Sequence, residues 1–151
     1  MKNAYKRKRQ EGFTIIEVMI VLAIAAVILL IVLLAVPALQ RNSRNTQRTN
    51  DAASIAAAIN TCLANHNSQV ASCEATGVNA VDIDLTKLGQ IETVSYVAAG
   101  GPGTTKQAVW SFNHNCNADG TAYGANPSSR QFAVTFKVES TGADQPRCIQ
   151  S

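Results

Sequence analysis

The sequence is poor in the residues that most often build catalytic and metal sites. It has two histidines, His66 and His114, and they lie far apart in the chain. None of the four cysteines belongs to a Cys-x-x-Cys pair. This spacing argues against a zinc site, and we expect both histidines to be exposed loop residues.

Catalytic motifs are absent as well. The chain has no paired carboxylates in a strand context, no phosphate-binding glycine loop, and no serine or cysteine motif with a positioned histidine. Asp82 and Asp84 alternate in "VDIDLTKL", but two such acids are more typical of a solvated loop than of a calcium site. We therefore expect no enzyme, no cofactor and no metal ion.

Residues 18–39 form the longest stretch of the sequence without a polar side chain. As a helix, these 22 residues would be about 33 Å long, which is enough to cross the hydrocarbon core of a bilayer. A backbone in lipid must satisfy its own hydrogen bonds, so a helix is predicted. Pro37 cannot donate to the carbonyl of Leu33, and we expect a kink or a local loosening there.

Charge is unevenly distributed around this run. Removing residues 1–12 takes away five of the 13 basic residues and one of the 10 acids, which leaves a net charge of −1. Bulk charge therefore gives no strong signal for nucleic-acid binding. Five basic residues precede the run, and three follow it on roughly one helix face, which favours a cytoplasmic N-terminus. We expect these three to contact water or lipid headgroups: Arg41, Arg44 and Arg48.

One carboxylate, Glu17, stands at the start of the apolar run. A charge at membrane depth costs about 2.5–3.5 kcal/mol on insertion scales, so Glu17 needs a partner. A cleaved secretory signal is a poor alternative, although residues 36–38 resemble a signal-peptidase site, because the run is too long and has this acid at its start. A plain signal anchor leaves Glu17 unexplained.

The start of the chain resembles that of a known family. A basic leader that ends in Gly12, then Phe13-Thr14-Ile15-Ile16-Glu17 and a long apolar run, is similar to the N-terminal signature of type IV pilins and pilin-like proteins over residues 7–39. The resemblance implies that a prepilin peptidase removes the leader, residues 1–12, by cutting after Gly12. It implies also that Phe13 becomes the N-methylated N-terminus of the mature chain.

The family resemblance also gives Glu17 a role. Cleavage creates an α-amine at Phe13 with an ordinary pKa of about 7.7–8, and the resemblance implies that Glu17 of one subunit neutralises this amine on a neighbour. Phe13 and Glu17 are also four residues apart, so a pair within one subunit is the alternative. We favour the intermolecular pair. Both require cleavage, so in the uncut chain we expect Glu17 to lack a partner.

Beyond Pro37 the helical pattern continues. One apolar stripe recurs at spacings of three and four residues, namely Ala52, Ile55, Ala56, Ile59 and Leu63. We expect the opposite face to be solvated, with Asn50, Asp51, Ser54 and Thr61. The pattern predicts a single helix over residues 14–64. The first half of the helix lies in a hydrophobic segment, residues 13–39. Its second half lies in an amphipathic segment, residues 40–65, which packs on a sheet.

Three later segments alternate as strands do: residues 93–99, 106–113 and 131–139. We expect their aromatic faces to form the core. We expect the opposite face of the last segment to meet water, with Ala133, Thr135, Lys137 and Glu139. The glycines of residues 100–103 predict a hairpin loop, and residues 114–130 a long polar loop. The predicted fold is α+β, with the long helix against a small antiparallel sheet of about three strands in a head, residues 66–151.

All four cysteines follow the apolar run, so outside the cytoplasm they are expected to form disulfides. They pair most simply as Cys62 with Cys73 and Cys116 with Cys148. The second pair resembles the C-terminal loop that pilins often close with a disulfide. Four cysteines allow three connectivities, and the sequence leaves the other two open.

The function implied by the resemblance is that of a pilin. The precursor would cross the inner membrane once with its N-terminus inside. The pilus assembly machinery of that membrane would then add it, by self-assembly through the N-terminal helix, to a helical filament outside the cell or in the periplasm. The alternatives are a minor pilin, a pseudopilin of type II secretion, or a pilin of DNA uptake.

Overall fold

A computed structural model describes residues 12–73, 81, 83–98, 101, 103–125 and 131–151. The chain divides into two units, one up to Leu39 and the other Gln40–Ser151. From here on, the head means this second unit, which includes the second half of the helix as well as residues 66–151. Helix α1 is Ile15–Asn65, and two short 3-10 helices follow at Val70–Ser72 and Leu85–Lys87. The strands are β1 (Thr93–Tyr96), β2 (Gln107–Phe112), β3 (His114–Cys116), β4 (Tyr123–Ala125), β5 (Phe132–Val138) and β6 (Gln145–Gln150).

The predicted long helix is confirmed and differs from the prediction by one residue at each end. Within the head, its apolar stripe is buried as the period of 3.6 residues requires. The helix ends at Asn65, where the chain turns through two residues with positive φ, Asn67 and Ser68. The N–H of Ser68 closes this turn on the carbonyl of Leu63 at 2.7 Å.

The sheet of the head has four strands in the order β1-β2-β5-β6. Strand β5 is antiparallel to both β2 and β6, and β3 and β4 form a separate two-stranded ribbon. The aromatic residues of β2 and β5 face α1, and the rings of Trp110 and Phe112 meet edge to face at 5.1 Å. Each large side chain buried in this way stabilises the fold by about 1.5–3 kcal/mol. The predicted α+β class, a long helix on a mainly antiparallel sheet, is confirmed.

The hairpin predicted at residues 100–103 is wrong, because β1 and β2 are parallel, with Thr93 opposite Gln107. The connection between them crosses the sheet face that is opposite to α1. Its Gly101 carbonyl accepts a hydrogen bond from Thr135 Oγ1 at 2.8 Å. At Gly103 the connection passes so close to β2 that an added Cβ would clash with the carbonyl oxygen of Gln107. Glycine is therefore required there by close approach rather than by a tight turn.

This crossing also corrects, for Ala133 and Thr135, the prediction that the outer face of β5 meets water. Ala133 and Thr135 on β5, and Ser111 on β2, are fully buried. Their side chains are small, so the connecting backbone and Tyr123 of β4 can lie over them. The Tyr123 hydroxyl donates to the carbonyl of Val109 at 2.7 Å. Burial raises the pKa of Tyr123 to about 12, although hydrogen bonds to Thr135 oppose the shift.

Two further parts of the head differ from the prediction. The segment predicted as a polar loop, residues 114–130, contains β3 and β4, while residues 126–130 lie outside the described part. The edge strand β6 was not predicted at all. Its outer edge is protected against pairing with another strand, because Pro146 has no N–H and the N–H of Cys148 donates to the carbonyl of Gly120 at 2.8 Å.

Two disulfides join the ends of these elements. Cys62 near the end of α1 bonds Cys73, and Cys116 of β3 bonds Cys148 of β6. These are the two pairs expected from the sequence. The second one ties the β3–β4 ribbon to the edge of the main sheet, where Cys116 N also donates to Gln150 Oε1 at 2.6 Å.

Candidate processing and assembly segment

The segment around the expected cleavage position is open to solvent. Gly12 is exposed, and so is the side chain of Phe13, at 89% of its area. Nothing within 4 Å would meet a Cβ at Gly12. Helix α1 begins two residues after Phe13, at Ile15. The bond expected to be cut, between Gly12 and Phe13, therefore lies outside the helix.

Glu17 caps the start of α1, together with Thr14. The N–H and the hydroxyl of Thr14 donate to Glu17 Oε2 at 2.8 and 2.7 Å, and the N–H of Glu17 donates back to Thr14 Oγ1 at 3.3 Å. This reciprocal pair is a capping box, which satisfies backbone donors that a helix start leaves free. The expectation that Glu17 lacks a partner in the uncut chain is therefore wrong. The spacing Thr-x-x-Glu is the sequence signature of a capping box and predicts this contact.

The apolar part of α1 exposes its hydrophobic side chains. Every residue from 15 to 39 is exposed except Ala25, which is half-buried. The helix is long and apolar enough to cross a membrane by length and composition. So large an apolar surface is unfavourable in water at about 25 cal/mol per Å². A bilayer or a bundle of similar helices is the environment that this composition fits.

Pro37 lies inside α1, and the helix is continuous from the turn before it to the turn after it. Proline removes one backbone hydrogen bond in such a position. A bend or loosening at Pro37 stays a prediction.

Asp51 lies on the buried side of α1 and not on the predicted solvated face. It is 2% exposed and accepts hydrogen bonds from the backbone N–H groups of Gly89, Gln90 and Ile91 at 2.7–3.1 Å. The Gln47 side chain donates to it as well, at 3.2 Å. Burial raises the pKa of Asp51, but these hydrogen bonds lower it by more, so its pKa lies below the ordinary value. Asp51 thereby fixes the loop before β1 on the helix.

The prediction that the three arginines after the apolar run contact water or headgroups is wrong for one of them, Arg48. Arg44 and Arg48 both pair with Glu139, which directly follows β5, at 2.6 Å each. Arg48 is 4% exposed. Asn45 completes this clamp, since its side chain donates to the Glu139 carbonyl and accepts from the Glu139 N–H, both at 2.8 Å. The hydrogen bonds from Arg44 and Arg48 lower the pKa of Glu139 to about 2.

The predicted exposure of the two histidines is right for His66, which lies in the turn after α1, and wrong for His114. His114 is half-buried at the start of β3, with its Nδ1 2.8 Å from Ser111 Oγ. The same Nδ1 lies 2.7 Å from the Phe112 carbonyl, which only accepts, so Nδ1 carries a proton. It cannot then accept a proton from Ser111, whose hydroxyl is itself fully buried. This pair therefore has a structural role.

The two acids weighed as calcium ligands do not form a described site. Asp84 caps the second 3-10 helix by accepting from the N–H of Thr86 at 3.1 Å, and it pairs with Lys87 at 3.2 Å. Asp82 lies outside the described residues. Within the described part of the chain, no group of three metal-ligating side chains occurs.

Comparison with known proteins gives a match at the N-terminus. Residues 7–33 match the family model described as the prokaryotic N-terminal methylation motif. This motif is the hallmark of type IV pilin and prepilin-like proteins, and it indicates prepilin-type processing. No curated protein and no solved structure matches the chain.

Proposed function

We propose that this chain, which carries the N-terminal methylation motif of type IV pilin-like proteins, is the precursor of a filament subunit. The observation that carries the proposal is the combination of this motif with an exposed apolar helix that starts within it. In the precursor, the helix spans the inner membrane with the N-terminus in the cytoplasm. A prepilin peptidase cuts after Gly12 and Phe13 is N-methylated. The assembly machinery of the membrane then moves the subunit into a pilus.

The physical basis of assembly is the exchange of one apolar environment for another. Residues 18–39 carry no polar side chain, so leaving the bilayer for water is strongly unfavourable. Packing against the same segment of neighbouring subunits removes that cost. The head, which has its own buried core, stays outside the bundle. A structural role follows from this design, and no enzymatic role is proposed.

Within this bundle, two groups can pair with Glu17, namely Thr14 and the new amine of Phe13. The capping box with Thr14 satisfies it in the single subunit. Cleavage adds a new cation, the amine of Phe13, with an ordinary pKa of about 7.7–8. We propose that Glu17 neutralises this amine on a neighbouring subunit, because an unpaired charge buried in a bundle of apolar helices costs several kcal/mol.

The first experiment is to shear filaments from cells and to measure the intact mass of the subunit. The expected mass is that of residues 13–151 with two disulfides and one added methyl group. A subunit that begins at Lys2 or Leu39, or absence of the chain from any filament, would contradict the proposal.

The second experiment separates charge pairing from helix capping with two variants. Glu17→Val removes both, whereas Thr14→Val removes the capping hydroxyl and leaves the carboxylate. Loss of a cap costs a helix about 0.5–2 kcal/mol, which a membrane span tolerates. Glu17→Val is expected to insert and to be largely cleaved but to assemble poorly, while Thr14→Val assembles. Equal assembly of both variants would refute the pairing role.

The methylation motif is equally compatible with a minor pilin or a pseudopilin of type II secretion. Abundance decides between them, since a major subunit outnumbers every other protein in sheared filaments. A DNA-uptake pilin is the alternative from another class. Retardation of duplex DNA by the protein, with a steep dependence on salt, would favour it.

A further inference from the structure

The head gathers basic residues at one end, which we call the basal surface. It consists of residues 41–48 of α1 and residues 137–147, which include the end of β5 and the start of β6. The clamp of Glu139 on Arg44 and Asn45 holds the two segments together. A groove of about 440 Å³ lies between them, lined on the helix side by Asn42 and Thr46 and on the sheet side by Arg147.

Charge in the head is unevenly distributed, with an excess of positive charge at the basal surface and of negative charge elsewhere. Residues 40–151 carry eight basic and eight acidic residues and are formally neutral. The two basal segments hold five of the basic residues and two of the acids, a net charge of +3. The remaining positions therefore carry a net charge of −3. A neutral head with so uneven a distribution presents a positive surface to a partner without attracting anions from every side.

Three of the basal cations have no acidic partner among the described residues: Arg41, Lys137 and Arg147. Lysines elsewhere in the described head differ, since Lys87 pairs with Asp84 and Lys106 with Glu92. Unpaired cations are therefore concentrated where the head already has an excess of positive charge. Arg147 is exposed and lines the groove, so its guanidinium is available to a ligand.

The basal surface lies next to the end of the apolar run in the chain. Arg41 follows Leu39 by two residues of the same helix, which is about 3 Å of rise, and Asn45 follows it by about 9 Å. The headgroup layer of a bilayer is about 5–7 Å thick on each side, and the Debye length is about 8 Å. When residues 18–39 span a membrane, as the proposed function requires, Arg41 lies within the range of its surface charge. Arg147 lines the same groove as Asn42, the residue that follows Arg41 in the helix.

We propose that the basal surface docks the unassembled subunit on anionic phospholipid headgroups of the bilayer that it spans. Each lysine or arginine near such a surface favours the docked state by about fivefold. Arg147 contacts headgroup phosphate at the mouth of the groove, and Arg41 contacts it beside the helix. A strand from a second copy does not fit this position, because Pro146 and the Cys148–Gly120 hydrogen bond protect the edge of β6.

The test uses the full chain in vesicles and its single tryptophan as the donor. Trp110 lies in the core of the head, so energy transfer to a dansyl-labelled lipid reports the distance of the head from the bilayer. Vesicles of phosphatidylcholine are compared with vesicles that also contain phosphatidylglycerol. We expect stronger transfer with phosphatidylglycerol, falling to the level of phosphatidylcholine alone when salt is raised.

Two matched double variants assign the effect to the basal surface. Arg41→Gln with Arg147→Gln removes two unpaired basal cations and is expected to abolish most of the gain in transfer. Lys87→Gln with Lys106→Gln changes the net charge equally, away from the basal surface, and is expected to keep the gain. A gain that both variants lose equally would overturn the proposal, because it would then depend on total charge alone.

Resistance to alkaline extraction is measured on the same vesicles. Protein that resists extraction but shows equal transfer in both kinds of vesicle would contradict docking and leave the proposed function standing. Protein that alkali extracts would contradict the membrane precursor itself.

Energy transfer that follows the protein-to-lipid ratio, and not the phosphatidylglycerol content, would assign the basal surface to contacts between copies. Transfer abolished by duplex DNA at equal phosphate concentration would assign it to nucleic acid. Either of these last two results would overturn the proposal.

Discussion

Replacing Asp51 by alanine tests how the head holds its helix. In the wild type, one carboxylate accepts from the three consecutive backbone N–H groups of Gly89, Gln90 and Ile91. Asp51→Ala leaves these donors facing an apolar methyl group on a buried helix face. The change should therefore weaken the attachment of the loop before β1 without touching the aromatic core of the sheet.

The size of the effect follows from these contacts. A hydrogen bond to a charged group contributes about 1.5–3 kcal/mol, and a buried donor left without an acceptor costs about 1–3 kcal/mol. The three donors lie on one loop, which can relax and admit water, so their contributions are not additive. We expect the free energy of unfolding to fall by about 3–5 kcal/mol. A head of this size has only about 6–17 kcal/mol in all.

The assay is urea unfolding in detergent micelles, followed by the fluorescence of Trp110, which is buried and is the only tryptophan. Asn50→Ala is the matched control, since Asn50 is the exposed neighbour on the same helix and its change should shift stability by less than about 0.5 kcal/mol. If Asp51→Ala cost no more than Asn50→Ala, the carboxylate would not anchor the loop, and the reasoning would be refuted.

Two more predictions use the same unfolding assay. Because the folded pKa of Glu139 is about 2 and its unfolded value is 4.5, its contribution is complete above 4.5 and is lost as the pH falls from there towards 2. Glu139→Gln should therefore make stability depend less steeply on pH in that window, and an unchanged slope would contradict the clamp. Gly103→Ala should cost about 3 kcal/mol, because its Cβ would meet the backbone of β2. Gly142→Ala, where the space is open, should cost little; equal effects would refute the close crossing.

Periodicity was sufficient to predict the elements that bury one continuous stripe. The helix and the strands β2 and β5 were predicted because their apolar residues recur with periods of 3.6 and 2. The same pattern gives the face of a strand but not its direction, so the parallel pairing of β1 with β2 was missed. The ribbon of β3 and β4 was missed because each strand has three residues, too few to establish a period.

The contacts that fix the helix could not be predicted for a different reason. The sequence pattern predicts that Asp51 faces solvent, because a carboxylate counts as polar at any position of the helical repeat. What buries it is a set of backbone N–H groups 38–40 residues away, which no side-chain pattern reports. The contact between Thr14 and Glu17 is the opposite case, because the two residues are three positions apart and the local sequence predicts it.

The clamp between Arg44 and Glu139 has a consequence for the order of events during synthesis. The two residues are 95 positions apart, so at about 5–20 residues per second Glu139 is added roughly 5–20 s after Arg44. During that interval the apolar stripe of the head helix has no sheet to cover it, however fast the finished head folds. The period of greatest exposure to aggregation is therefore set by the rate of synthesis rather than by the folding rate.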